Sequence, residues 1–373
     1  MDRAFLRRIL RANLSDLAGH RRAEVLRSVP MWMDVLMRGA LNGVGHFIDD
    51  MRDPTWRDVE VRAPIFVVAP PRSGTTLLFH MLAEDPRFAA VTLGRSMLRP
   101  ASVLGFLSAM QQRPRMAGAL AKVGEQIDAK MSSLDETHTL RLARLEEDES
   151  FFNDQFVAIN VHLLGPSIHE RTGGHVVLDD RPAKVRESTM AAYREFIQRF
   201  LHSVGPERTY LAKNVYSAGR LASLDAEFPD SRMINILRHP YQQIPSALEL
   251  IRAVTKGAWG EIPAPADPFW KPMIDAVLDQ HRRLLAWERK MPKQRWVTLR
   301  YDEVIADPAA NVRRVYEHFG IPLAETHSWR LDEAAKDAGE FKKSRKYALE
   351  DFGLTKAEVR ERLADVFAAY GWE

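Results

Sequence analysis

Hydrophobic residues recur along this chain with two different periods, which predict helices near the amino terminus and short strands further on. In residues 1–50 apolar side chains stand three and four positions apart with arginines between them, the pattern of an amphipathic helix. Residues 188–203 have the same period. Four short apolar runs, each followed by a helical stretch, predict buried strands at 65–69, 209–212, 233–237 and 296–300.

The alternation of strands and helices determines the expected fold. A strand that is continuously apolar is buried on both faces, and this requires helices on both sides of the sheet. The sequence therefore predicts an α/β fold, a doubly wound parallel sheet with helices on both faces. Because ligands of such folds bind at the carboxyl ends of the strands, the residues that follow each strand are the first candidates for a site.

The most informative strand end is the first, where the apolar run leads into PPRSGTT and then into a helix. A loop between a strand and a helix presents backbone N–H groups and the positive end of the helix dipole to an anion. Gly74 allows the tight turn, and Arg72 adds a forked cation. The residues predicted to form this phosphate-binding loop are Pro71, Arg72, Ser73, Gly74, Thr75 and Thr76.

This loop departs from the nucleoside-triphosphate motif G-x-x-x-x-G-K-[ST]. Ala69 stands where that motif has its first glycine, and Thr75 stands where it has lysine. The strand at 233–237 is followed by Arg238 rather than by an acid that would hold Mg²⁺. The sequence therefore favours a nucleotide whose transferred group is not a γ-phosphoryl, and a kinase-like phosphotransferase is the alternative.

Composition narrows the classes of function. The 373 residues include no cysteine, which excludes disulfides, thiolate metal sites and cysteine nucleophiles. Lysine and arginine number 53 against 50 acidic residues, a net charge of +3 that is too balanced to predict a nucleic-acid binder. The pattern contains neither an apolar run long enough to span a membrane nor a secretory signal, so we expect a cytoplasmic protein.

Two further strand ends, taken together with PRSGTT, resemble a known family. Arg238 follows its strand, and Ser246 stands eight positions later, near the start of the next helix. Lys213, in YLAKN, follows another strand. These features resemble the sulfotransferases that use 3′-phosphoadenylyl sulfate (PAPS), and the resemblance extends over residues 64–370. One departure is Lys-Asn-Val, where the family often has Lys-Ser-Pro.

The resemblance implies a role for each of these residues. The loop would bind the 5′-phosphosulfate of PAPS, and Arg238 and Ser246 would bind its 3′-phosphate. Arg72 and Lys213 would act in catalysis by neutralising charge as the sulfuryl group leaves. PAPS is then a co-substrate, and no metal is implied. A catalytically inactive nucleotide-binding relative is a further alternative.

Sulfuryl transfer also requires that the acceptor lose a proton, so a base within hydrogen-bond reach is expected. Related sulfotransferases have a histidine and then an acidic run ahead of the acceptor pocket, and His138 and the run LEEDE at 145–149 match them. A helix through this run would place Glu147 on the side of Phe151. We predict Glu147 or His138 as the base, with a solvated acidic helix face as the alternative.

The resemblance also implies a domain organisation. Residues 1–55 would form an N-terminal helical extension, and residues 56–373 would form the sulfotransferase domain, with a helical insertion at 98–175 on the acceptor side. The acceptor, a hydroxyl or amine compound, is open among small molecules, carbohydrates and lipids. The N-terminal helices are expected to pack on the domain or on a second subunit of a homodimer, with peripheral membrane contact as the alternative.

Overall fold

The computed structural model describes residues 3–132, 141–172, 177–265, 267–338 and 347–373. At its centre lies a parallel sheet whose strand order is β2-β3-β1-β4-β5. The strands are β1 (Ile65–Val67), β2 (Phe88–Ala89), β3 (Thr209–Lys213), β4 (Arg232–Leu237) and β5 (Trp296–Arg300). β1 pairs with β3 on one side and with β4 on the other. The predicted α/β fold with a parallel sheet is therefore confirmed.

Helices surround this sheet in the parts of the chain that the structure describes. They are α1 (Arg3–Leu17), α2 (Arg22–Arg52), α3 (Thr75–Ala83), α4 (Leu93–Met97), α5 (Ala101–Gln111), α6 (Pro114–Ser132), α7 (Glu149–Asp154), α8 (Ile168–Thr172), α9 (Ala183–Val204), α10 (Leu221–Glu227), α11 (Pro240–Trp259), α12 (Trp270–Lys290), α13 (Tyr301–Ala306), α14 (Pro308–His318), α15 (Glu325–Ala338), α16 (Lys356–Arg362) and α17 (Ala364–Tyr370). None of them is long and apolar enough to span a bilayer.

The core forms two apolar layers because successive side chains of a strand point to opposite faces of the sheet. Phe66 of β1 packs with Tyr193 and Phe196 of α9 on one face. Ile65 and Val67 pack with residues of α3 and α14 on the other. The two layers cover both faces of the sheet, which explains why the strand interiors are continuously apolar rather than alternating.

Side-chain caps begin two of the helices in the carboxyl-terminal part of the chain. Asp307 accepts a hydrogen bond from the Ala310 amide and precedes Pro308 at the start of α14. Thr355 and Glu358 form a capping box at α16. The chain turns at Leu363, so that α16 ends at Arg362 and α17 begins at Ala364. That turn lets Leu363 itself be buried in the apolar cluster beside α11 and α12.

The N-terminal helices pack on the helical part of the chain that follows β2. Phe5 and Ile9 of α1 are buried with Phe156, Leu164 and Ile168. α2 packs against α5 and α11. Within the described part of residues 98–175 the chain forms α5 to α8. The division of the chain at residue 55 stays a prediction.

A buried carboxylate joins the turn after α3 to α14, and it generates a prediction about stability. Asp85 accepts hydrogen bonds from the Arg87 amide (3.0 Å), the Arg87 guanidinium (2.6 Å) and the Tyr316 hydroxyl (2.7 Å). Burial alone would raise the pKa of Asp85, but these hydrogen bonds outweigh it and lower the pKa to about 2. The ionised carboxylate therefore stabilises the fold above its ordinary pKa, and this contribution is lost as pH falls toward 2.

We expect Asp85→Asn to lower the free energy of unfolding by about 2–3 kcal/mol at pH 7, and by about half as much at pH 3. Urea unfolding at the two pH values measures the difference. Tyr316→Phe removes one neutral donor and is the matched control, with an expected loss of about 1 kcal/mol. A loss for Asp85→Asn that is equal at both pH values would contradict this account.

Candidate active site

The loop after β1 turns through two left-handed residues. Arg72 has a φ of +67° and Gly74 a φ of +78°. A non-glycine residue in this region is strained by about 1–3 kcal/mol, and such strain clusters at ligand sites. Gly74 directly precedes α3, whose first N–H groups lack intrahelical partners. The loop therefore directs a helix amino terminus and its dipole toward the carboxyl edge of the sheet.

Two side chains hold the carbonyl groups of this loop. Nη1 of Arg238 donates to the carbonyl oxygen of Arg72 at 2.5 Å, and Nε2 of Gln243 donates to that of Pro71 at 2.9 Å. Gln243 Oε1 in turn lies 2.8 Å from Nε2 of His281. Burial lowers the pKa of His281 to about 4, so the ring is neutral at pH 7 and donates from Nε2. Because these carbonyls are already bound, they do not oppose an anion at the loop.

Arg72 in the loop contacts α11, and Arg238, which follows β4, contacts α13. Nε of Arg72 donates to Oγ of Ser246 at 3.2 Å. The guanidinium of Arg238 lies 4.3 Å from the ring centre of Tyr301. Among the described residues, none forms a hydrogen bond with the buried Oγ of Ser73 or with Nε of Arg238. Buried polar atoms without partners cost free energy, so these two atoms are ready to bind a ligand.

Lys213 links the sheet to the phosphate-binding loop and to the acidic run. Its side chain is 2% exposed at the end of β3. Its Nζ donates to Oγ1 of Thr76 at 3.3 Å and lies 3.2 Å from Oε1 of Glu147 and 3.5 Å from Oε2 of Glu146. The ammonium group is therefore fixed between the first turn of α3 and two carboxylates.

Glu147 reaches this position by a route that the sequence did not predict. The expected helix through 145–149 is wrong, since α7 begins only at Glu149. The preceding segment instead hydrogen-bonds beside the chain near α4, where the Glu146 amide donates to the Val91 carbonyl at 3.1 Å. Burial raises the pKa of Glu147, and Lys213 partly offsets this. Its side chain is 23% exposed against 6% for Glu146, so Glu147 is the more accessible of these two acids.

The other acids of the run belong to a buried hydrogen-bond network. Asp148 accepts from Nδ2 of Asn214 at 2.9 Å and from the Tyr210 hydroxyl at 3.0 Å. Glu149 accepts from Nδ2 of Asn214 at 2.6 Å and from Nη2 of Arg220 at 2.9 Å. Asn214 directly follows Lys213, so the network fixes the acidic run against the end of β3.

The structure brings nearly all of the predicted site residues to one edge of the sheet. The loop from Pro71 to Thr76, Lys213, Arg238, Ser246 and Glu147 lie together there, and their roles stay predictions. His138 lies outside the described residues. Sequence reasoning missed Gln243, His281, Tyr301 and Asn214. Gln243 stands three positions before Ser246, so a helix through PYQQIPS was the one available signal for it. Within the described ranges, no group of three or more His, Asp or Glu residues is arranged to hold a metal ion.

A parallel sheet with a cationic, glycine-containing loop at the end of its central strand is typical of α/β proteins that bind an anionic ligand. Comparison with known proteins identifies which class of anion-binding protein this is. A model described as the sulfotransferase family matches residues 64–325. The chain belongs to the sulfotransferase family.

Relatives and solved structures agree with this membership. Omega-hydroxy-beta-dihydromenaquinone-9 sulfotransferase Stf3 of Mycobacterium bovis is 26% identical over 320 residues, covering 83% of this chain and 75% of the relative. The Stf3 of Mycobacterium tuberculosis has the same identity and coverage.

Two crystal structures share the fold. Sulfotransferase STF1 from Mycobacterium tuberculosis is 20% identical, with a TM-score of 0.67, over 96% of this chain and 92% of that one. STF9 from Mycobacterium avium is 19% identical, with a TM-score of 0.69, over 88% of this chain and 81% of that one.

Gly74 allows a test of the loop geometry. A Cβ at this position would lie 3.3 Å from the ring of Tyr301, in addition to the strain of a positive φ. Gly260 has nearly the same φ, +77°, but no atom within 4 Å of the added carbon. We expect Gly260→Ala to cost about 1–2 kcal/mol from backbone strain alone, and Gly74→Ala to cost more.

Denaturant unfolding of both variants measures the difference between them. Both substitutions introduce the same backbone strain. The additional loss of unfolding free energy in Gly74→Ala therefore measures the contact with Tyr301. Equal losses would show that the ring does not limit the space above the loop.

Proposed function

We propose that this protein transfers a sulfuryl group from PAPS to a hydroxyl group, or an amine, of an apolar acceptor and releases 3′,5′-adenosine bisphosphate (PAP). The observation that carries the proposal is a pair of buried donor atoms that form no hydrogen bond with the described residues: Ser73 Oγ in the loop and Arg238 Nε beside the loop. Hydroxyl and guanidinium donors suit phosphate and sulfate oxygens. Membership of the sulfotransferase family supports the assignment.

The residues of the site form two groups: those that would bind PAPS and those that would supply positive charge. The amides and hydroxyls of 71–76 would bind the 5′-phosphosulfate, and Arg238 and Ser246 the 3′-phosphate. PAPS, when bound, supplies an activated sulfuryl group with a nucleotide phosphate as leaving group. Lys213 and Arg72 provide fixed positive charge beside the loop, and preorganised charge in a buried site is an effective means of stabilising a transition state.

Lys213 is suited to this task because its charge is fixed before the donor binds. The contacts to Glu147, Glu146 and Thr76 hold the side-chain nitrogen in place at a buried position. Its place at the end of β3, next to β1, keeps it at the same edge as the loop. A cation that needs no rearrangement adds its full effect when negative charge develops on the leaving group.

Glu147 is the proposed general base. Its pKa is raised by burial, which makes the carboxylate a better proton acceptor than an exposed glutamate. It is also partly exposed, in contrast to Asp148 and Glu149, which are bound in the network below. Glu147 would hold the acceptor hydroxyl and remove its proton as the bond to sulfur forms.

We propose a lipid-like alcohol as the acceptor and the helical segment 98–175 as its side of the site. The similar protein Stf3 is named for a hydroxylated dihydromenaquinone. In this chain α5 has the apolar sequence ASVLGFLSAMQ, yet none of its residues is fully buried. An apolar helix that is open to its surroundings supports an apolar acceptor.

Nucleotide binding separates this proposal from a kinase-like phosphotransferase. We expect PAP at about 100 times its Kd to stabilise the protein by about 2.7 kcal/mol, and ATP with Mg²⁺ to have little effect. Arg238→Ala should abolish the stabilisation by PAP. Arg232→Ala, at the opposite end of the same strand, is the matched control and should retain it.

Thermal unfolding with each nucleotide measures these effects. Stabilisation by ATP with Mg²⁺ and not by PAP would reject the PAPS assignment. A PAP effect that survives Arg238→Ala would remove Arg238 from the site.

The proposal that Glu147 is the general base is tested separately, by the rate of sulfuryl transfer. Glu147→Gln is expected to lower kcat for transfer of labelled sulfate from PAPS to a hydroxylated isoprenoid quinone by about 10²–10⁴-fold, with PAP binding retained. Because a base must be ionised, wild-type kcat should fall as pH drops through the raised pKa of Glu147, and the variant should lack this limb.

Glu125→Gln, on the exposed face of α6, is the matched control and should behave as wild type. Full activity of Glu147→Gln with an unchanged pH profile would show that another group accepts the proton. A wild-type protein that binds PAP but transfers no sulfate to any acceptor tried would favour the inactive relative.

A further inference from the structure

One face of α2 is apolar and exposed over nearly its whole length. Large apolar side chains recur there every three or four positions, which places them on one side of the helix. They are Leu26, Val29, Met33, Leu36, Met37, Leu41, Val44, Phe47, Ile48 and Met51, each between 36% and 73% exposed. We call these ten residues the α2 apolar face. A contiguous face of this kind marks an interaction site.

The opposite side of α2 is already occupied by the rest of the chain. A Cβ on Gly45 would lie 2.6 Å from Pro100, just before α5. Asn42 donates to the Met97 carbonyl at 3.0 Å, and Arg38 is paired with Asp154 at 2.7 Å. The α2 apolar face is therefore directed away from the core by a helix whose opposite side is held by the rest of the chain.

The charges around this face favour a protein partner over a lipid surface. Within the described residues of α2, no lysine or arginine is exposed between Arg27 and Arg52. Asp49 accepts from the amides of Ala101 and Ser102, so it is bound to its own chain. Helices that lie on membranes combine an apolar face with a fringe of basic residues, and α2 lacks that fringe over the stretch between Arg27 and Arg52.

The spacing of large residues along the α2 apolar face suits an antiparallel copy of the same helix about Ala40. Gly39, Ala40 and Gly43 are exposed at its middle, and a Cβ on either glycine would meet no atom within 4 Å. Leu36 and Val44 stand four positions on either side of Ala40, and large apolar residues recur seven and eleven positions away in both directions. An antiparallel copy of the same helix would place Leu36 opposite Val44 and Met33 opposite Phe47, and would set Met37 and Leu41 against the space above Gly43 and Gly39.

We infer that the α2 apolar face is a homodimer interface, in which a second copy of this chain packs its α2 antiparallel with the two-fold axis at Ala40. An isologous contact of this kind uses the same surface on both copies. From Leu26 to Met51 the helix is about 39 Å long, and its outward half exposes on the order of 600 Å². Two copies would bury about 1,200 Å², which reaches the range of stable interfaces. The inference does not rest on the proposed function.

Ala40→Arg tests the inference, because it would place two like charges opposite each other on the axis. Wild-type protein should have twice the monomer mass by light scattering after size exclusion, and Ala40→Arg should have the monomer mass. Ala191→Arg, at an exposed position of α9, is the matched control and should remain dimeric. An unchanged circular dichroism spectrum would show that Ala40→Arg is folded.

The absence of cysteine from the natural sequence provides a second, geometric test. Ala40→Cys should form a disulfide-linked dimer on mild oxidation, since a disulfide requires the two Cα atoms within about 7 Å. Ala191→Cys should remain uncrosslinked under the same conditions. Cysteine is a small substitution. The crosslinking experiment therefore still tests the interface if Ala40→Arg does not fold.

Three results would overturn the inference. The first is a wild-type protein that is monomeric at micromolar concentration. The second is a dimer that Ala40→Arg leaves intact while Ala40→Cys does not crosslink, since the interface would then be elsewhere. The third is a monomer that floats with vesicles of phosphatidylglycerol and phosphatidylethanolamine, because the α2 apolar face would then cover a lipid surface instead.

Discussion

The candidate site depends on the way the carbonyl groups of one loop are bound. A short loop that turns through left-handed residues directs some peptide groups toward its concave side and others away from it. Arg238 and Gln243 bind the carbonyls of Arg72 and Pro71, so those dipoles are already engaged. The N–H groups at the start of α3, which lack intrahelical acceptors, then contribute positive potential that these two carbonyls do not cancel. His281 supports the arrangement as a neutral donor, because burial keeps it uncharged at pH 7.

The second constraint is electrostatic, and it links the two halves of the site. Lys213 is buried at the end of a central strand, where an unpaired ammonium would be costly. Glu146 and Glu147 compensate that charge, while Asn214 and the acids beside them form a separate, satisfied network. The acidic run therefore has a structural part and a more exposed part. The more exposed part is Glu147, the proposed base, and burial beside Lys213 raises its pKa.

The helical part of the chain shows how one helix can serve two surfaces. α2 uses Arg38, Asn42 and Gly45 to pack on the segment around α5. Its other side contributes nothing to the core of one chain. A two-fold pairing of α2 would hold α5, and with it the helical segment beside the proposed acceptor, in a more rigid setting. The periodicity of residues 1–50 predicted the helix, while its long exposed face became evident only when the packing of both sides was known.

The sequence by itself determined the α/β fold, the strand ends and the loop, because apolar runs and glycine-containing turns are local signals that persist in the folded chain. It also located Lys213, Arg238 and Ser246 through a resemblance that the family match supports. Tertiary structure alone decided the partners: Gln243 and His281 behind the loop, Tyr301 beneath Arg238, and Glu147 beside Lys213. These contacts join residues far apart in the chain, and hydrophobic periodicity carries no information about which distant polar groups meet. The helix expected through Glu147 failed for the same reason, since hydrogen bonds to the segment near α4 override a local pattern.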